Sequence, residues 1–349
     1  MAKYIIKRLL LAVLILFGVS IILFFLVRLM PVNFIVNKFS SQMALGGIKP
    51  EDLQLIMKSY GYNLILFLDD AGKITGFEVD SSFGEIISSY FKWLGNFLTG
   101  DMGDSFIYTQ PVSEVISSRM GTSFAIAFVS LILELIIAIP LGIKCACNQY
   151  GKLDYTVTFL CMIGISFPSF FLGNILIKWL AVDWGWFDPM SGLISISLPT
   201  GASWFTKFFD MLWHLVLPIT VMVIIDMGAL MRYTRTNTLE VLNADYIRTA
   251  RAKGLGEGKV IYKHVFRNTL IPLITTLSFT LPTLFGGAMI TETVFNIEGI
   301  GQAAYQALEQ GDINLIMGYN MFLAVLTVLG TLLADIMYAV VDPRVKLVK

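Results

Sequence analysis

Long apolar runs separated by shorter polar ones set the pattern of this chain, and most runs are too long for the elements of a soluble core. The first extends from about Leu9 to Met30, enough residues to cross a hydrocarbon layer of roughly 30 Å as a helix. Others cover about 122–143, 155–180, 213–231 and 269–290, and a last one, entered through Asp312–Gly318, ends near Val341. This predicts six spanning helices. Ile163–Gly173 interrupts the third, where Pro168 removes a helical hydrogen bond and Ser166 or Ser169 can satisfy what is left free. A functional kink and ordinary helix packing both fit that break, since Pro and Gly are frequent in membrane helices.

The polar stretches carry their own periods. Residues 31–118 form the largest segment outside the spans. Within it Lys49–Asp52 opens a helix that ends by Gly61, with Pro50 in the first turn and acids near the N-terminus. Two apolar strands around Asp69–Lys73 predict a hairpin near 64–79. From Gly84 to Leu98 apolar residues recur every three or four positions, an amphipathic helix for the outer membrane surface or for the spans themselves. A second outside loop, Ala181–Met211, is rich in Trp, Gly and Pro, and Asp183–Phe187 suits an interface anchor.

The stretch 232–268 differs, with eight Lys/Arg against three Asp/Glu from Arg232 to Arg267. A charged loop between spans lies in water, and its basic excess makes that water cytoplasmic. Lys3, Lys7 and Arg8 put the N-terminus on the same side, and six spans leave sixteen Lys/Arg inside and nine outside. Arg28–Pro31 offers no small-x-small exit, so the first run reads as a retained helix. Inside the loop, Asn243 or Asp245 can cap a short helix with Tyr246, Ile247 and Ala250 on one face and Arg248, Arg251 and Lys253 spread over the rest. Gly254 stops it, Gly256 and Gly258 make the bend, and Lys259–Asn268 leads helically to Pro272. The residues alone leave two readings open: a loop obeying the positive-inside rule, or an exposed helix for a groove on a partner.

Composition narrows the class. Apolar residues make up 56%, charged residues 14%, and the net charge is zero, as for a polytopic membrane protein with no field to attract nucleic acid. Cys145, Cys147 and Cys161 are too few for a closed metal site and odd in number, so they read as reduced packing thiols. His214 and His264 form no triad-like set with Ser, Asp or Cys, so no catalytic residue is expected. Gly254–Val260 lacks the spacing and the hydroxyl of a phosphate-binding loop, so energy must come from another subunit or from an ion gradient. Glu134, Asp226 and Asp335 fall inside spans, at about 2.5–3.5 kcal/mol each, and must face protein or water. They read either as substrate-amine or proton contacts, or as carboxylates near a helix end or satisfied by neighbouring Ser, Thr or Tyr groups; Asp226 is near enough to Met231 to reach the interface.

Arg248-Thr249-Ala250-x-x-x-Gly254, followed by Leu270-Ile271-Pro272, resembles the EAA loop of ABC-importer permeases, with Arg248-Thr249 where the general pattern has Glu-Ala. More narrowly, Asp245–Leu255 with His264, Arg267-Asn268 and Ile271-Pro272 is similar to the dipeptide/oligopeptide/nickel permease family, in its oligopeptide B-type subunit. Gly100–Ser105 with Pro111-Val112, Ser166-x-Pro168-x-Phe170, and Asp342-Pro343-Arg344 resemble further family elements. So does Glu292–Gly301, with Glu298 where Pro is usual; the hairpin has no counterpart and reads as an insertion.

The resemblance implies an all-α polytopic protein of six transmembrane helices, the type I ABC importer permease fold, with a small extracytoplasmic α+β insertion after the first helix. Its parts would be an N-terminal transmembrane helix (1–30), an extracytoplasmic region (31–118), and a five-helix permease core (119–349) with the coupling loop 232–268. It implies a permease subunit of an ATP-driven importer for di- and oligopeptides, forming half of the translocation path. Coupling to the ATPase would fall to Asp245, Tyr246, Arg248, Thr249, Ala250, Arg251, Lys253, Gly254 and Leu255, and the path to Ser166, Pro168, Asp226 and Glu292. This chain would bind no cofactor or metal, with ATP and Mg held in partner subunits. The implied partners are a second homologous permease, two ABC ATPase subunits, an extracytoplasmic peptide-binding protein and membrane lipid, with no nucleic acid. The location would be the inner membrane of a bacterium, both termini cytoplasmic. Alternatives are a related system for nickel or another small solute, an exporter, and an ion-coupled secondary transporter, which inverted repeats and broken midplane helices would favour.

Overall fold

The computed structural model describes residues 2–28, 49–59, 63–69, 74–80, 83–188, 192–199, 201–280 and 282–341. The turn over 70–73, the tail from 342 and the side chain of Asp335 lie outside the described residues. The chain forms two compact units, Met1–Ser118 with Gln306–Val328, and Arg119–Tyr305 with Leu329–Lys349.

In the first unit α1 (Ala2–Arg28) is apolar almost all round, and most of its side chains are exposed, as lipid contact requires. Its buried strip is narrow: Ser20, Phe24 and Val27. After α2 (Pro50–Ser59), β1 (Asn63–Leu68) and β2 (Ile74–Asp80) pair antiparallel from Asn63↔Asp80 to Leu68↔Ile74, with an irregularity at Phe67/Leu68. The amphipathic α3 (Phe83–Leu98) resolves its two readings by packing on α1. Tyr90 is buried there, its hydroxyl 2.8 Å from that of Ser20 and its ring edge-on to Phe17 and Phe24.

The loop 99–111 is tied down by one carboxylate. Asp312 Oδ2 accepts the Ser105 hydroxyl at 2.6 Å and the Ile107 N–H at 3.2 Å, while Oδ1 accepts the Leu315 N–H at 3.1 Å. The acid thereby caps the helix it precedes and closes the loop. Gly103, at φ +77°, lies against Asn314, whose amide donates to the Asp104 carbonyl at 2.8 Å.

The second unit holds most of α4 (Val112–Cys147), then α5 (Lys152–Ser166), α6 (Ser169–Leu176), which runs on as a π-helical segment Ile177–Asp183, and α7 (Trp204–Leu242). Glycines let backbones touch. A Cβ at Gly142 would stand 2.8 Å from the Met231 carbonyl, one at Gly164 the same distance from that of Ile224, and one at Gly228 the same from that of Cys161. Small residues at such crossings replace the hydrophobic drive that lipid cannot supply. Cys145 and Cys161 are buried and Cys147 exposed, all three as free thiols.

The break at Pro168 is larger than a kink, since α5 and α6 differ in direction by 100°. Phe167 and Pro168 are both extended, because the residue before a proline is pushed out of the helical region. Ser166 does not repair the break; its hydroxyl donates back to the Met162 carbonyl at 2.7 Å. Past the loop 184–203, Asp210 accepts the Ser195 N–H and hydroxyl, each at 2.7 Å, and the Phe187 ring stacks on Trp213.

The segment read as a span over 269–290 is not one helix. It comprises α10 (Phe266–Thr280), a 3₁₀ turn Pro282–Phe285 and the short α11 (Met289–Val294). Gly287 sits at φ +75° with no room for a Cβ, which would meet the Gly301 nitrogen at 2.6 Å. Then come α12 (Ile300–Gln310) and α13 (Ile313–Val341). Among the described residues four helices are long and apolar enough to cross a membrane, or five if α5 and α6 are one bent span.

Candidate functional site

The loop 232–268 is mostly helical. Instead of ending near Met231, α7 continues to Leu242, 39 residues in all, or about 58 Å. Polar residues do not end a helix that has left the bilayer; Asn243 does, its side-chain amide donating to the Leu239 carbonyl at 3.0 Å. The cap of α8 (Asp245–Ala252) is accordingly Ala244, with no side-chain bond, and Asp245 is the first helical residue. Acids there still favour the positive helix end. Gly254 ends α8 at φ +76°. Gly256 precedes the short α9 (Glu257–Lys259), which places Gly258 inside a helical turn rather than in the bend; the π-helical segment Val260–Val265 then leads into α10.

Ile247 and Ala250 are buried in a small core with Val260 and Val265, with Val241, Leu242 and Leu255 packed around it. Tyr246 is not part of that face: it is 49% exposed and stands with Asp245, Arg248, Thr249, Arg251, Lys253 and Gly254. Adjacent helical residues are 100° apart, so only one of Tyr246 and Ile247 can point into so small a core. Arg251 is committed, its guanidinium on the Glu257 carboxylate at 2.6 and 3.2 Å. That hydrogen bonding holds the Glu257 carboxyl below its ordinary value and straps the end of α8 to α9.

A second anchor was not legible. Arg235 of α7 grips Asp154 of α5 through Nε–Oδ1 at 2.6 Å and Nη2–Oδ2 at 2.7 Å, and the same carboxylate accepts the Tyr150 N–H at 3.0 Å. The turn between α4 and α5 is thereby clamped to the stem that carries α8.

Of the residues assigned to a translocation path, the structure gathers one into a cavity. Asp226 of α7 opens into a space of about 560 Å³, together with Glu134 of α4. Ser130, Tyr233, Thr276, Thr280 and Thr283 add hydroxyls to apolar walls. Ser166 and Pro168 are exposed at the α5–α6 break and do not line it. Glu292 is buried, its carboxylate accepting the N–H groups of Ala288 and Gln302, each at 2.9 Å. Gly299 and Gly301 leave room for that carboxylate, and the Ile300 N–H donates to Ser123 Oγ at 2.9 Å. Glu292 holds a turn, and it shapes the cavity through Gly287 and Ala288, which do line it.

Apolar helices long enough to cross a membrane, a cavity whose apolar walls carry two carboxylates and several hydroxyls, and an anchored helix displayed on the loop after one of those spans define a multi-pass helical membrane transport component. The chain belongs to the family of binding-protein-dependent transport system inner membrane components, whose profile matches residues 138–347. Members are inner-membrane permease components of transport systems. The oligopeptide transport system permease protein AppB of Bacillus subtilis is 38% identical over 349 residues, covering 99% of this chain and all of that one. The dipeptide transport system permease protein DppB of Alkalihalophilus pseudofirmus is 31% identical, again over 99% of this chain and all of its own. A chain of the inward-facing MetNI methionine ABC transporter superposes with a TM-score of 0.51 at 21% identity, covering 65% of this chain and 96% of that one. The fold is therefore that of a type I ABC importer permease.

Proposed function

We propose that this chain is the permease subunit of an ATP-driven importer of di- and oligopeptides. It forms half of the translocation path with a second homologous permease and couples through α8 to one of two ABC ATPase subunits, which hold ATP and Mg. An extracytoplasmic binding protein delivers the peptide, and both termini and loop 232–268 face the cytoplasm. The observation that carries the reading is α8 itself. A helix of this length is marginal alone, yet Ile247 and Ala250 anchor it while Tyr246, Arg248, Thr249 and Lys253 stay outward. Such a rigid, outward face suits a groove on a partner. Differential affinity of ATP for a closed ATPase dimer would supply the work, and α8 would convey it to the spans. The substrate class follows from likeness, over nearly the whole chain, to permeases named for oligopeptides and dipeptides.

The test is uptake of labelled di- to pentapeptides by the reconstituted complex, with and without ATP and binding protein. Uptake that needs both is expected. Uptake driven by an ion gradient without ATP would overturn the coupling, and ATP- and binding-protein-dependent transport of a non-peptide solute alone would overturn the substrate class.

A further inference from the structure

The cavity of the second unit has a one-sided chemistry. Glu134 and Asp226 line it from different helices, and no Lys, Arg or His is among its lining residues. Among the described residues neither carboxylate has a hydrogen-bond donor or ion-pair partner within the protein. The hydroxyls sharpen this asymmetry. Ser130 donates to the Ile126 carbonyl at 2.9 Å, Thr276 to Pro272 at 3.2 Å, Thr280 to Leu277 at 2.8 Å and Thr283 to Thr280 at 2.7 Å. These four protons are spent on the hydroxyls' own backbone, so what these four side chains offer the cavity is lone pairs; Tyr233 is the one lining hydroxyl whose proton no backbone carbonyl takes among the described residues. The Ala288 N–H, also in the lining, is likewise committed to Glu292. A wall rich in acceptors with two unpartnered carboxylates lacks what a solute rich in N–H donors would bring.

We propose that this cavity is a selectivity site for the cationic, donor-rich part of the transported solute, an ammonium or guanidinium group, with Asp226 and Glu134 as its specificity-determining residues. An organic cation fits better than a bare metal ion, because no group of three His, Cys, Asp or Glu is placed to hold one among the described residues. The volume also lies in the range of small-molecule sites. That the cation belongs to a peptide rests on the importer reading above; the preference for positive charge does not.

Two arms separate these claims. In the first, the full chain in inner-membrane vesicles carries Thr280→Cys, with the three native cysteines changed to alanine. It is labelled with 2-aminoethyl or 2-sulfonatoethyl methanethiosulfonate, each rate being divided by that reagent's rate with a free thiol. The ammonium reagent is expected to react at least about tenfold faster, and the ratio to fall to about twofold or less when Asp226→Asn and Glu134→Gln are added. Equal normalised rates with both carboxylates present would overturn the proposal, and so would a preference that survives their removal. Should Thr280→Cys fail to accumulate, Thr276→Cys reads the same wall. The second arm measures the uptake ratio of a lysine-containing to a glutamate-containing tripeptide by the reconstituted complex, before and after the double change. A ratio that does not fall counts against the site. If no tripeptide enters at all, the importer reading fails while the labelling result still decides the cavity.

Discussion

Asp312 in the first unit and Asp226 in the second are acids in apolar surroundings, and their environments are opposite. Asp312 is fully buried and accepts three hydrogen bonds, from a hydroxyl and two backbone N–H groups. Glu292 is held similarly by two N–H groups. Asp226 and Glu134 open instead into a cavity whose Ser and Thr hydroxyls have already given their protons to backbone carbonyls. A carboxylate surrounded by fixed donors is part of the scaffold. One facing accessible space with none is available to whatever enters. The residue type is the same, and only the donors distinguish the roles.

That contrast breaks most readily at Asp312. Asp312→Ala strands a buried hydroxyl and two N–H groups and should cost on the order of 3–5 kcal/mol, read as a large fall in the unfolding temperature of detergent-purified protein. Glu292→Ala, with two stranded N–H groups, should cost about 2–4 kcal/mol in the same assay, and should also alter labelling at the cavity lining beside Ala288. Gly142→Ala tests the packing around the cavity: a Cβ 2.8 Å from the Met231 carbonyl forces α4 from α7, at about 1–3 kcal/mol. Asp226→Asn should go the other way, with stability unchanged or raised by up to about 1 kcal/mol, because no internal partner among the described residues is lost; a large fall in unfolding temperature would place Asp226 with the scaffold acids.

The smallest effect belongs to Arg251→Ala, which removes an exposed pair and should leave global unfolding unchanged. Its signature is local, as faster hydrogen exchange in 245–259. The same strap sets a pH dependence. Because Arg251 lowers the Glu257 carboxyl, its contribution is present at neutral pH and disappears as pH falls through that lowered value, below the usual carboxylate range. The protection of wild-type α8, its exchange rate relative to the intrinsic rate at each pH, should therefore fall on acidification, while that of the Arg251→Ala protein should change less.

How much could be read in advance depended on how far apart the partners lie. The existence of α8 and its stop at Gly254 were legible, because helical spacing and a left-handed glycine act within a turn or two. The outward position of Tyr246 was not, since the core that selects Ile247 is completed by Val260 and Val265, well along the chain. Asn243 and Asp245 both suit the cap of α8, yet Asn243 terminates α7 and Asp245 is already helical, because polar side chains near a helix boundary serve either end. Glu292 was assigned to a path, yet its partners are the amides of a turn that folds back on it. The Asp154–Arg235 clamp joins residues from different helices, and no local period announces such a pair.

By itself the amino-acid sequence determined the membrane class, the approximate place of most spans, the basic loop and the motif that fills it. Burial of apolar length and the cost of charge in hydrocarbon act residue by residue along the chain, and leave their mark there. Tertiary structure alone decided which acid is scaffold and which faces open space, where the span after the loop is broken, and which face of α8 turns outward. Each of those depends on donors, carbonyls or backbone brought from elsewhere in the chain, and close packing admits only one arrangement of them.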